Sequence, residues 1–522
     1  MPAYLPRSFM RKNIITALLL VFTAISASAQ YKVDTMCGAK VILGKDGQLL
    51  SRYEPQTPGA GYVKAVALAV HFWKNCPTSP TNNLPLYLTH CSMYRDGKGG
   101  FVGSNWPHNP IVVNAGIVQG LAIDWRNFSG DETMLSLARQ GLDQQLKYGT
   151  TPADWDWAAV PYASSEAGEI MYDGASMFDT AVTEENIGRG DGSYVLEADK
   201  IGDMGMAYLK FYQITEETKY LDAAIQCADA LAKHVRKGLH HKNGLDWKKH
   251  ILTSPWPFRV KAESGAIVED YTAHVVDNLR LIEELMRIKE RIHLSSEQQQ
   301  AYQKAADIVW DWLYSAEGAI KTSIWKGYFE DIPIDQINLN RVNNSPMEFA
   351  RYLIRHPHHD PGIGTTVPGL IWWVKNTWFK EEAFRYFNHA TYMAEPGGVV
   401  QVGHTWWGEI WFSDGYSDYI RHFMEGLAAV PEWVPVGNHL LKSTSTVQKI
   451  RYEPHAITFR TFDQQAAVVL RLASKPKSVT VAGTVLHPPK EPGGDGYVWK
   501  PLEKGGVLKL KYTNGQSVSI NL

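Results

Sequence analysis

The sequence predicts a mainly α protein, an (α/α)6 toroid with a helix count near eleven rather than twelve, followed by a small antiparallel β-domain. Three observations predict it. Helical periodicity dominates from about Gly61 to Leu427, segments apolar on every side alternate with amphipathic ones, and the periodicity changes to two beyond about Ser443.

The first apolar segments are IVVNAGIVQGLAIDW and IGDMGMAYLKFYQIT, both rich in Gly and Ala. A helix that is apolar all round must be buried all round. Each is followed by a helix with one apolar stripe. SGDETMLSLARQGLDQQLKYG carries Leu135, Ala138, Leu142 and Leu146, and TEETKYLDAAIQCADALAKHVRKG carries Leu221, Ala224, Ala228, Leu231 and Val235. Acidic residues in their first turns suit the positive end of the helix dipole, and the closing Gly supplies a C-cap. YTAHVVDNLRLIEELMRIK and SSEQQQAYQKAADIVWDWLYSAEG repeat the pair. Inner helix, short turn, outer helix, long loop is the unit of a double-layered barrel. A third outer-type segment, KEEAFRYFNHATYMAEPGG, follows VPGLIWWVKNTWF directly, which lowers the helix count.

Residues 61–440 are therefore assigned to the toroid, 30–60 to an N-terminal extension and 444–522 to the β-domain. HAITFRTF, AAVVLRLA, SVTVAG and GVLKLKYTNGQSVSINL alternate like half-buried strands, and Asn514-Gly515 is a hairpin signal between the last two runs.

The N-terminus reads as a signal peptide over residues 1–29. Arg7, Arg11 and Lys12 precede the apolar stretch Ile14 to Ile25, and Ser26 to Ala29 offer small residues for cleavage before Gln30. The stretch is short for a permanent anchor, and no later segment reaches the roughly 18 apolar residues of a spanning helix. The expected location is secreted or periplasmic. Such a compartment permits disulfides, and Cys76 with Cys91 is the expected pair, Cys227 being a buried thiol.

A net charge of −2, from 52 basic and 54 acidic residues, gives no basic excess for nucleic acid or a membrane surface. The 18 Trp and 25 Tyr suit either stacking on sugar rings or the cores of large helical proteins. The expected partner is a carbohydrate. No cofactor and no metal are expected: His356-Pro357-His358-His359-Asp360 lacks helical spacing and reads as an exposed loop. Neither a phosphate loop nor a Gly-x-Ser-x-Gly elbow occurs.

Chemistry is sought where polar residues open inner helices. Asp199 and Asp203 lie four apart on one face of the most apolar helix. Two carboxylates in an apolar mouth separate in pKa, giving an acid and a base; as capping acids, Glu197 and Asp199 would be structural. Glu269, Asp270 and Tyr271 open the next inner helix, soon after Trp256, Phe258 and Arg259, where an Arg fork could hold a sugar carboxylate. A third cluster runs from His404 through Trp406, Trp407 and Asp414 to Tyr416. Trp106, His108 and Asn109 precede the first inner helix.

The segments LEADKIGDMGMAYLKFYQITEETKYLDAAIQCADALAKHVR, SPWPFRV and DGYSDYIRHFMEGLAAVPEW resemble secreted proteins of the six-hairpin glycosidase superfamily. The resemblance implies an (α/α)6 toroid over roughly residues 60–440, among glycoside hydrolases such as unsaturated glucuronyl hydrolases, with polysaccharide lyases as neighbouring toroids. The expected activity is glycoside hydrolysis on a poly- or oligosaccharide by carboxylate acid/base chemistry. Asp199 and Glu269 are the expected pair, with Asp414 in reserve. Trp106, Trp256, Trp406 and Trp407 are expected as stacking platforms, and His108, Asn109, Arg259, Tyr271, His404 and Tyr416 as substrate contacts. The alternatives are a polysaccharide lyase, with Arg259 and Asn109 on a uronate and Tyr271 or His404 as base, and a glycan-binding toroid that has lost catalysis.

Overall fold

The computed structural model describes residues 31–36, 39–96, 98, 101–179, 191–238, 253–270, 275–314, 388, 391–392 and 410–522. The expected signal peptide and the segments around Ile251, Lys380 and His356 lie outside the described residues.

Among the described residues the helices form two layers. The inner row contains α2 (residues 110–129), α4 (Ala198–Thr215), α6 (Val275–Arg287) and α8 (Ser413–Ala429). The outer row contains α1 (Pro58–Lys74), α3 (Met134–Tyr148), α5 (Thr218–His234) and α7 (Ser296–Tyr314). In the inner row α8 packs on α2, α2 on α4 and α4 on α6, while α1, α3, α5 and α7 back onto α8, α2, α4 and α6.

The all-round apolarity of IGDMGMAYLKFYQIT has the expected consequence: Met206 and Tyr208 of α4 are buried. In α5 the buried stripe runs through Tyr220, Leu221, Ala224, Cys227, Ala228 and Leu231. In α3 the buried face centres on Met134, Ala138, Gly141, Leu142 and Gln145, leaving Leu135 and Leu146 half-buried at its edge. Helix α2 contains a nine-residue π segment, Ile117–Trp125, a rare form that is frequent at functional sites.

Two small sheets sit at the N-terminal ends of the inner helices. One joins β3 (Ser92–Arg95), β4 (Phe101–Gly103) and β8 (Ile410–Phe412). The other joins β5 (Val195–Glu197), β6 (Arg259–Lys261) and β7 (Ile267–Glu269). Upstream, β1 (Tyr31–Met36) and β2 (Ala39–Gly44) form a hairpin whose Ile42 amide donates to the Tyr392 hydroxyl at 2.8 Å.

The C-terminal region is antiparallel, as the period-two pattern requires. Strands β9 (His439–Ser443), β12 (Ala466–Leu472), β15 (Gly496–Pro501) and β16 (Gly506–Tyr512) make one sheet. Strands β10 (Val447–Glu453), β11 (Ala456–Thr461), β13 (Ser478–Val481), β14 (Thr484–Val485) and β17 (Ser517–Asn521) make the other. Asn514-Gly515 is not a hairpin. It carries the chain from β16 in one sheet to β17 in the other, with Gly515 at φ +129°: β16 pairs with β15 and β12, and β17 with β11 and β13.

This β region rests on the C-terminal ends of the inner helices. The buried Arg126 guanidinium at the end of α2 donates to the Val447 carbonyl, and the Tyr452 hydroxyl donates to the Asn127 carbonyl. Lys210 Nζ of α4 is 2.5 Å from Glu284 of α6, and Arg287 lies 3.1 Å from Asp463. Gln448 Nε2 donates to the Gln213 carbonyl at 3.1 Å.

The expected Cys76–Cys91 disulfide is not formed. Cys76 is a free thiol whose Sγ faces the Pro77 carbonyl at 3.6 Å, and Cys91 Sγ faces the Pro107 carbonyl at 3.0 Å. Cys227 is a buried free thiol, as expected.

Candidate functional site

The ends of the inner helices opposite the β region hold two groups of charged side chains. The outer group is built on the sheet β5-β6-β7, whose register places Arg259 directly between Glu197 and Glu269. The Arg259 guanidinium donates through Nε to Asp191 Oδ1 at 2.7 Å, through Nη2 to Glu197 and through Nη1 to Glu269. The side chains of all four are 10% exposed or less. Three carboxylates buried around one guanidinium repel one another, which favours a proton on one of them. Burial and the neighbouring Glu197 charge push Asp191 well above the usual carboxylate range. Burial would raise Glu197 too, but Arg259 and Lys200 hold it below its ordinary value.

The second group lies deeper, where the inner helices face one another. Asp203 sits one turn inside α4. Gln119, in the π segment of α2, donates through Nε2 to Asp203 Oδ1 at 3.4 Å. Its Oε1 accepts from Arg280 of α6 at 3.5 Å, and Arg280 also donates to Asp277 Oδ1 at 3.0 Å. Burial and the Asp277 charge raise the Asp203 carboxyl, against the opposing pull of Arg421 from α8, Arg280 and Lys200. Asp203 keeps partial exposure, and the Asp277 side chain is 15% exposed. Four inner helices thus each contribute a charged or amide group to one place, with one carboxyl biased toward its protonated form and another tied to an arginine.

The residues expected from sequence fall into three sets. Asp199 is buried in the first turn of α4, with Lys200 Nζ 3.9 Å from its Oδ2. Glu269 is engaged by Arg259. The partner that raises Asp203 is Asp277, rather than Asp199 as the four-residue spacing suggested. Trp106 is 53% exposed, its ring edge-on to Phe178 at 5.7 Å.

Trp256, Arg259, Asn109 and His108 are engaged within the fold itself. Trp256 is fully buried, with Nε1 donating to the Leu231 carbonyl at 2.9 Å, so it is core and offers no platform. Arg259 has its fork filled by three protein carboxylates and has none left for a sugar acid. Asn109 caps α2, its side chain accepting from the Val112 amide at 3.5 Å. His108 is buried, its backbone paired with Ser165 in both directions, and burial followed by the charge of His90 lowers its pKa to about 3. It is a neutral ring at any ordinary pH. Asp414 and Tyr416 fall in the first turn of α8. Tyr271, His404, Trp406 and Trp407 lie outside the described residues.

Sequence reasoning missed Asp277, Arg280, Gln119 and Arg421 as site residues. The available signal was a charged or amide residue on a helix otherwise committed to burial, the feature that did single out Asp203.

No family model and no curated protein matches the chain. Solved structures similar to it include a family 76 glycoside hydrolase from a bovine Bacteroides thetaiotaomicron strain, at 13% identity over 75% of this chain and 84% of that one, with a TM-score of 0.30. A cellobiose 2-epimerase from Bacillus thermoamylovorans aligns at 10% identity over 70% of this chain and 99% of that one, with a TM-score of 0.42. An unsaturated glucuronyl hydrolase specific for heparin aligns at 12% identity over 71% and 98%, with a TM-score of 0.34. These proteins are members of the six-hairpin glycosidase superfamily that the sequence resembles. At these scores the likeness transfers no residue and no activity.

Proposed function

We propose that the chain is an exported carbohydrate-active enzyme, a glycoside hydrolase on an (α/α)6 toroid, working by carboxylate acid/base chemistry at Asp203 and Asp277. The observation that carries this reading is the contrast between the two carboxyls. Asp203 is biased toward its protonated form by burial and by the Asp277 charge, while Asp277 is held by Arg280. A protonated carboxyl can donate to the leaving glycosidic oxygen, and an ionised one can activate water or attack the sugar. The amide of Gln119 spans the two halves of this arrangement, touching Asp203 and Arg280 at once.

Exposed aromatics at the same end support a sugar substrate. Trp106 is 53% and Tyr194 49% exposed, each braced edge-on by a second ring, Phe178 and Trp155. Flat faces held in place this way suit the apolar C–H faces of pyranose rings.

The test incubates the purified mature protein, beginning at Gln30, with panels of neutral and acidic oligosaccharides. New reducing ends without unsaturated uronate, abolished by Asp203→Asn, support hydrolysis. Absorbance of an unsaturated uronate replaces the hydrolase by a lyase, and binding without product replaces both by a glycan-binding protein. Amino-terminal sequencing of the protein exported from a host checks the cleavage before Gln30, and a retained Met1 overturns it.

A further inference from the structure

We infer that Arg259 is a positioning residue that fixes the entrances of α4 and α6 to each other, and so sets the separation of Asp203 and Asp277. The inference rests on the proposed roles of that pair.

The geometry points to it twice. Through side chains, one guanidinium binds Glu197, the residue before α4, and Glu269, the last described strand residue before α6. Through the backbone, the Ala198 amide at the start of α4 donates to the Phe258 carbonyl at 3.2 Å, and the Phe258 amide donates to the Glu269 carbonyl at 2.9 Å. The two chain entrances are therefore tied to one short strand, by the main chain at residue 258 and by the side chain at 259. Asp203 lies six residues beyond Glu197 along α4, and Asp277 lies eight beyond Glu269 in the numbering.

The planar fork is what the job requires. Three carboxylates approach from three directions, matched by Nε, Nη1 and Nη2, and an ammonium on a flexible stem cannot hold all three in fixed relative positions. Phe258 flanks the guanidinium, 4.1 Å from its carbon to the ring centroid, which restricts its rotation. Arg236 offers the natural contrast. It donates to the Asp270 carbonyl at 2.8 Å and to the Ser254 carbonyl at 3.1 Å, and so holds the α6 entrance without reaching α4.

Hydrogen exchange read by mass spectrometry on the full mature chain tests this without a substrate. In Arg259→Met, amides of residues 195–203 and of 267–280 should both exchange at least ~10-fold faster, the change expected on losing a charge-assisted hydrogen bond, while the β region stays protected. Arg259→Lys should loosen both entrances to a smaller extent. Arg236→Met should loosen only 267–280. Faster exchange confined to β6, to one entrance, or equal across Arg259→Met and Arg236→Met overturns the inference. Should Arg259→Met not fold, Arg259→Lys decides, and unchanged exchange at either entrance is the overturning result. An active Asp203→Asn enzyme would remove the catalytic reading and leave these exchange measurements, and the link between the entrances, standing.

Discussion

Gly202 of α4 lies against Asn278 of α6 so closely that a Cβ at Gly202 would sit 2.2 Å from the Asn278 Oδ1 and 2.6 Å from its backbone nitrogen. The contact brings the two helices close together immediately beside Asp203 and Asp277. Gly202→Ala is therefore expected to lower stability by about 1–3 kcal/mol, the usual cost of overpacking. Urea denaturation of the purified variant measures it, and an unchanged midpoint would refute the close packing.

Asp203→Asn and Asp277→Asn should each cut turnover by ~10²–10⁴-fold while far-ultraviolet circular dichroism stays native, since the amide keeps the shape but exchanges no proton. The pH profile adds a sharper check. Asp203 has its pKa raised, with burial the larger cause and Asp277 the next, so it remains a proton donor to higher pH than an ordinary Asp. Turnover should fall as pH rises through that value. Any residual activity of Asp277→Asn should lose this limb at lower pH, because the second cause is gone. For stability the sign is the same: the contribution of a raised carboxyl is complete below its unfolded pKa and is lost as pH rises through the folded one.

Glu284 has the opposite sign. Burial would raise it, but Lys210 and Arg287 outweigh burial and hold it far below the ordinary carboxylate value. Its contribution is present above the unfolded pKa and is lost as pH falls toward the folded one. Glu284→Gln should cost about 1.5–3 kcal/mol at neutral pH, the range for a hydrogen bond to a charged group. Thermal melts at decreasing pH should show the gap to the unmodified protein closing in acid. A gap that widens in acid would contradict the ion-pair assignment.

Cys76 and Cys227 should both react with an alkylating reagent after denaturation without reductant, since each is a free thiol. Peptide mass spectrometry reads the adducts, and a Cys76–Cys91 cross-link would contradict the structure.

The inner helices were legible in the sequence because burial on every side leaves an unmistakable composition, as in α4. The β region was legible for the same kind of reason, through its two-residue period. The Arg259 cluster was not. Its strands are three residues each, too short for any period, and Asp191, Glu197, Arg259 and Glu269 meet only through pairing that no local pattern encodes. Asn514-Gly515 misled because a turn residue states that the chain bends, while the partner of each strand is chosen elsewhere. Asp203 stood out in the sequence beside Asp199, and Asp277 did not, because the first stands on an almost wholly apolar helix. The second is one of several charges in VVDNLRLIEELMR, where it resembles a solvated face.

The bond from Arg126 to the Val447 carbonyl spans 321 positions of sequence, and that from Tyr452 to Asn127 spans 325. During synthesis the first inner helix thus waits for nearly the whole polypeptide before its last turn acquires a partner. Until then a guanidinium destined for the interior has no carbonyl to meet.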